Sequence, residues 1–118
     1  MDYSVASTDE IDSVVPEEWG GMWFFREPLD CENLGITFME LEPSGNGKPH
    51  HHADDGQEEV YLVVDGELTV QLGGSSDESP AETVTLDAGE AVRVGAETWR
   101  QLHNRSDERV RLVIAGAH

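Results

Sequence analysis

From residue 20 onward the chain alternates short apolar, β-branched and aromatic runs with turns rich in Gly, Asp, Asn, Ser and Pro. That texture predicts strands joined by turns. The runs place strands at 22–26, 35–42, 48–52, 58–64, 67–72, 82–86, 91–94, 100–104 and 109–115. In the last of these, Val110, Leu112 and Ile114 alternate with Arg109, Arg111 and Val113, which assigns one face to the core. The run 58–64 is apolar on both faces: Glu59, Tyr61 and Val63 share one side, and Val60, Leu62 and Val64 the other. Such a strand belongs in the middle of two layers or beneath an interface. Asp65-Gly66 has the chemistry of a tight hairpin, 87–90 reads as another turn, and 73–81 as a loose polar loop. Ahead of the strands, Ser7 and Glu10 have capping-box spacing, and Ile11, Val14 and Val15 give a short helix an apolar edge before Pro16. The pattern as a whole predicts an all-β fold, an antiparallel sandwich or barrel without crossover helices.

Length and charge narrow the picture. A chain of 118 residues fits one domain, divided here into an arm with a short helix at 1–21 and a β-barrel at 22–118. With 25 acidic residues against 7 basic ones the formal charge is −18, and the carboxylates are spread along the whole chain. A coat of that sign repels itself over about 8 Å in ordinary salt and over about 3 Å in molar salt, so adaptation to a salty cytoplasm is expected. It also lacks the basic patch that phosphate binding needs, which argues against nucleic acid as a partner. Cys31 has no second cysteine to pair with, and neither a leader nor a long apolar run is present, so a cytoplasmic protein without membrane contact is expected.

The candidate chemistry lies in 49–66, where three histidines precede Glu58-Glu59 and an apolar run closed by Gly66. His50 and His52 are two apart, so on an extended chain they leave one face, and Glu59 or Glu58 can return beside them from the next strand. Nitrogen and carboxylate ligands of this kind suit a divalent transition metal such as Zn, Fe, Ni, Mn or Cu. His51 is read as solvent-facing. Strand parity turns Glu58 outward and leaves Glu59 beside the histidines.

These residues resemble the cupin family, small jelly-roll barrels whose first motif runs Gly, five residues, His-x-His, three or four residues, Glu, six residues, Gly. Here His50, His52, Glu59 and Gly66 carry it, with Ser44 at the place of the first glycine and six residues between His52 and Glu59. The second motif, Gly, five residues, Pro-x-Gly, two residues, His, three residues, Asn, is aligned on Gly89 and Asn104. It has Gly95 and Glu97 at its proline and glycine positions, and Arg100 in place of the fourth metal ligand. The likeness covers about 22–115 and implies a small, single-domain, haloarchaeal-like cupin that pairs as a homodimer, through sheet faces or an exchanged N-terminal segment. It implies His50, His52 and Glu59 as metal ligands, with Arg100, Tyr61 and Asn104 as substrate-binding residues. A metal beside Arg100 leaves about two positive charges, which an anionic ligand, a second carboxylate or direct pairing of Arg100 with Glu59 must absorb. Two functions follow. One is a metal-dependent site for oxygenase- or isomerase-type chemistry on a small anionic substrate, and the other a metal-free or non-catalytic binding or regulatory module. Trp23, Phe24, Phe38, Met39 and Trp99 are the apolar candidates for a pocket wall.

Overall fold

A computed structural model describes residues 1–117. One 3-10 turn, Glu17–Trp19, precedes eight strands: β1 Gly20–Phe24, β2 Gly35–Leu41, β3 Glu58–Asp65, β4 Glu67–Leu72, β5 Glu82–Asp87, β6 Ala91–Val94, β7 Arg100–His103 and β8 Val110–Ala117. They form a five-stranded sheet in the order β1-β2-β8-β3-β6 and a three-stranded sheet in the order β5-β4-β7. Every strand pairing is antiparallel. Among the described residues no helix is long and apolar enough to cross a membrane.

Period-2 patterning decides which side chains meet. The large sheet contributes Met39, Tyr61, Val63, Val94, Val110, Leu112 and Ile114 to the core, and the small sheet contributes Leu68, Val70, Leu86 and Leu102. Val110, Leu112 and Ile114 are buried as their alternation predicts, and on β3 the buried side is that of Glu59, Tyr61 and Val63. Burying each such apolar side chain contributes about 1.5–3 kcal/mol. The interior is therefore the main source of stability.

Three local expectations are corrected. The N-terminal helical segment is not the stretch before Pro16 but the turn after it. Ser7 Oγ accepts from Asp9 N instead of capping a helix. Further on, Val14 N donates to Met22 O while Ser13 Oγ accepts from Met22 N, so the arm is held along β1. Residues 48–52 form no regular strand. Pro49 has no N–H to give a ladder, and the segment keeps only the isolated bridge His50↔Arg100, with a second at Asn46↔His103. Lastly, Asp65-Gly66 is not a hairpin, because β3 and β4 lie in different sheets. Gly66, at φ +89°, turns the chain from one sheet to the other.

A methyl group on Gly66 would lie 2.9 Å from Arg109 O, whereas Gly56, at φ +69°, has open space around it. Both Gly→Ala changes carry left-handed strain, and only the first adds a backbone clash. Urea unfolding is expected to show a loss of about 1 kcal/mol for Gly56→Ala and about 2–3 kcal/mol for Gly66→Ala.

Candidate metal centre

The connection from β2 to β3 passes along β7, and its hydrogen bonds fix where the histidines stand. His50 N donates to Arg100 O, Arg100 N donates to His50 O, and His52 N donates to Ala96 O. This sets His50 and His52 against the end of the barrel where β3 supplies Glu59 and Tyr61 and β7 supplies Arg100. The ligand atoms of His50, His52 and Glu59 all lie within 4.8 Å of one another.

Glu59 Oε1 is the common point. His52 Nε2 is 3.2 Å from it and His50 Nε2 3.7 Å. Arg100 Nη1 donates to the same oxygen at 3.0 Å and the Tyr61 hydroxyl donates at 2.5 Å. Exposure falls steeply with depth: the side chains are 42% exposed at His50, 22% at His52, 12% at Glu59 and 0% at Arg100. The histidines therefore form the mouth, and the charged pair forms the floor.

The outward nitrogens fix the tautomers. His50 Nδ1 is 3.1 Å from Lys48 O and His52 Nδ1 is 3.1 Å from Asp55 Oδ2. Both partners can only accept, so each Nδ1 carries a proton and the neutral ring presents its Nε2 lone pair toward Glu59. Two lone pairs and a carboxylate oxygen directed together repel unless a cation stands among them. Imidazoles oriented through their far nitrogen are the usual support of a metal ligand, so the donor set fits a divalent metal. In its absence a proton on His50, which the interaction with Glu59 favours, is the alternative.

Electrostatics agree with that crowding. Burial on its own pushes the Glu59 carboxyl upward. The interactions with His50 and the Tyr61 hydroxyl, and the charges of His52 and Arg100, outweigh it and hold the group down to about 2. Interaction with Glu59 raises His50, partly offset by its burial. Tyr61 is driven far above its ordinary value by burial and then by Glu59, so it stays a protonated donor.

Arg100 is a buried arginine whose Nη2 donates to Gly95 O at 2.6 Å while Nε has no acceptor among the described residues. The Asn104 amide is engaged by partners outside the Glu59 cluster. Its Nδ2 donates to Leu41 O and Glu108 O, and its Oδ1 accepts from Ser106 N and Oγ, so the amide is spent on bracing the turn into β8. His51 does not face open solvent but lies half-buried, edge-on to Trp99 at 4.6 Å. Trp23 and Phe38 stack at 5.8 Å on the outer face of the large sheet, away from the barrel core that takes Met39, and Phe24 is exposed. None of these four is placed as a wall of the site. Gly116 has a part that motif reading did not assign. It stands opposite Glu59 on β8, where a methyl group would lie 3.3 Å from Glu59 Cγ. A glycine inside a strand signals such a close approach.

A model of the family described as "Cupin domain" matches residues 37–116. The chain belongs to the cupin family. Its two antiparallel sheets are the jelly-roll barrel of that family. It is 33% identical over 93 residues to a protein named beta-D-galactosidase Rv1717 from Mycobacterium tuberculosis, covering 79% of this chain and 72% of that protein. Among solved structures, a cupin protein from Bacteroides fragilis superposes with a TM-score of 0.75 at 17% identity, over 99% of this chain and 85% of the other. A protein from Bacillus halodurans gives 0.65 at 20% identity, over 72% of this chain. The match spans 62% of that second protein, less than two thirds of its length. At these identities the likeness to the solved structures is one of fold.

The pH dependence follows from the two shifted groups. Glu59 is depressed from its ordinary 4.5, so its contribution is complete above about pH 4.5 and is lost as pH falls toward 2. His50 is raised from 6.5, so its contribution is complete below about pH 6.5 and is lost as pH rises through its folded value. Glu59→Gln leaves Arg100 buried without a charged partner and should cost about 3 kcal/mol or more. Urea unfolding of metal-free protein across pH should show the gap between wild type and variant widest from about pH 4.5 to 6.5 and narrower on both sides. A gap independent of pH would contradict this assignment of charges.

Proposed function

We propose that His50, His52 and Glu59 hold a divalent transition metal and that the centre acts on a small anionic molecule, in oxygenase- or isomerase-type chemistry. The convergence of the two Nε2 atoms and the Glu59 carboxylate within 4.8 Å carries this reading. A bound metal of this type supplies Lewis acidity or a redox centre. The chain's own residues do the rest. Lys48 O and Asp55 hold the imidazoles in one tautomer. Tyr61 keeps its proton and steadies the carboxylate. Arg100 places a fixed positive charge beneath Glu59.

Charge selects the substrate class. A divalent ion, one carboxylate and one guanidinium sum to about two positive charges, whose mutual repulsion amounts to several kcal/mol at an effective dielectric near 20. An anionic substrate relieves it. The unpaired Nε–H of Arg100 is also a buried donor in want of an acceptor, and guanidinium is well suited to carboxylate or phosphate.

A second reading, a metal-free cupin acting as a binding or regulatory module, is favoured by the Arg100–Glu59 pair, which already neutralises the carboxylate. The relative named for galactosidase activity adds a β-galactoside to the substrates worth assaying. Glycoside hydrolysis normally uses two carboxyl groups, whereas the His50–His52–Glu59 cluster contributes a single one.

Elemental analysis of protein purified without a histidine tag is expected to find about one transition-metal ion per chain. His52→Ala should lower that at least tenfold with the fold intact. Binding of inorganic phosphate, followed by calorimetry, should weaken sharply after chelation. No stoichiometric metal, or phosphate binding that survives chelation, would favour the metal-free module.

A further inference from the structure

Strand parity gives β7 two sides. Arg100 and Leu102 are buried in the barrel, and Trp99, Gln101 and His103 alternate with them onto the outer face of the small sheet. Gln71 of β4 lies directly opposite Gln101, and Gly73 N donates to Trp99 O at 2.8 Å, so the indole stands next to the Gln71–Gln101 pair where the sheet ends. The loop after β4 bends back beside this corner, and Ala81 N closes it on Leu72 O at 2.9 Å. Between loop and sheet lies a cleft of about 160 Å³, walled by Pro49, Gln71, Trp99, Gln101, Ser76 and Glu78. The metal centre does not reach it, because the Arg100 guanidinium turns away to Glu59 and Gly95 O.

The polar groups of this cleft are only half engaged. Gln71 Oε1 accepts from His103 Nε2 at 2.7 Å, which leaves the amide N–H groups of Gln71, and Gln101 Nε2 donates to Gly47 O at 2.8 Å, which leaves its Oε1. Neither remainder has a partner among the described residues. The indole N–H of Trp99 and the carboxylate of Glu78 are in the same condition. His51 lies edge-on to the indole at 4.6 Å and holds that ring in place from the histidine segment.

The lining selects a ligand class. An anion would meet Glu78 and no guanidinium or ammonium group, while a cation would meet the N–H donors of Gln71 and Trp99 and a single ring in place of an aromatic cage. A neutral molecule is left, with donors and acceptors side by side and one apolar flank. A pyranose sugar has both, since neighbouring hydroxyls each donate and accept and its C–H face packs on an indole. The volume is well below the roughly 300–1,000 Å³ of sites for drug-sized ligands, so it suits a single ring.

We propose that this outer cleft is a saccharide subsite, which takes one pyranose ring with its C–H face on Trp99 and two adjacent hydroxyls between the Gln71 amide N–H and Gln101 Oε1. It is independent of the metal reading. Glu59 and the Arg100 guanidinium lie on the other side of β7, so a sugar held here touches no metal ligand.

Saturation-transfer difference NMR on the metal-free full chain, with the methyl pyranosides of D-glucose, D-galactose and D-mannose as probes, is expected to show saturable binding of at least one. Trp99→Ala and, separately, Ser76→Trp, which fills the cleft from an exposed position, should each weaken it about tenfold or more. Thr85→Trp, exposed on the same face of β5, should leave it unchanged, and far-UV circular dichroism will report that the variants fold. Should Trp99→Ala fail to fold, Ser76→Trp decides. No saturable binding of any of the three glycosides would overturn the proposal, as would binding that persists unaltered in Ser76→Trp. Binding seen only after metal is added would place the sugar at the barrel mouth and overturn it as well. Loss in the cleft variants with retention in Thr85→Trp supports it.

Discussion

A carboxylate that is nearly closed off from water has to be neutralised where it stands, and Glu59 is such a group. Its Oε1 receives the Tyr61 hydroxyl and the Arg100 guanidinium from within the barrel and faces both imidazoles at the mouth. Breaking a buried pair of this kind is far more costly than never having had it, because the remaining charge is stranded. The constraint runs through the fold. β7 must hold Arg100 inward, β3 must hold Glu59 and Tyr61 on the same side, and β8 must offer a glycine where Glu59 crosses it. A methyl group on Gly116 is enough to crowd Glu59.

The same pair sets the terms on which a cation can enter. Glu59 already has a positive partner that a motif-complete cupin site would replace with a neutral imidazole, so a metal here joins a site with one positive charge more than that arrangement. If the site holds a metal and an anion as proposed, their affinities are linked, each making the other's binding more favourable.

Much of the architecture was legible because strand parity is a hard geometric rule. Val110, Leu112 and Ile114 declared the core face of β8, and the doubly apolar run at β3 was readable from its alternation. What could not be read depended on partners distant in sequence. The arm around Val14 gave up helix for a hydrogen bond to Met22. Pro49 reduced a promising extended run to one bridge at His50, and Asp65-Gly66, with good hairpin chemistry, joins two sheets instead. At the site, the grouping of His50, His52 and Glu59 followed from spacing and family pattern. The role of Asn104 did not, because an amide that braces a turn and one that meets a ligand look alike in a sequence. Lys48 O and Asp55 were equally hidden, since what marks them is the direction of a ring nitrogen.

The two halves of the site rest on supports of different strength. Glu59, Tyr61 and Arg100 belong to paired strands, while the histidine segment is tied to the barrel by the exchanged His50–Arg100 bonds and by His52 N to Ala96 O. Few bonds need to part for that segment to lift, and the barrel can stay closed while they do. Amide hydrogens at His50 and His52 should therefore exchange with solvent through a local opening, well ahead of Tyr61. The rate at which an ion is gained or released would then be set by the hinge of a loop, with no need for the protein to unfold.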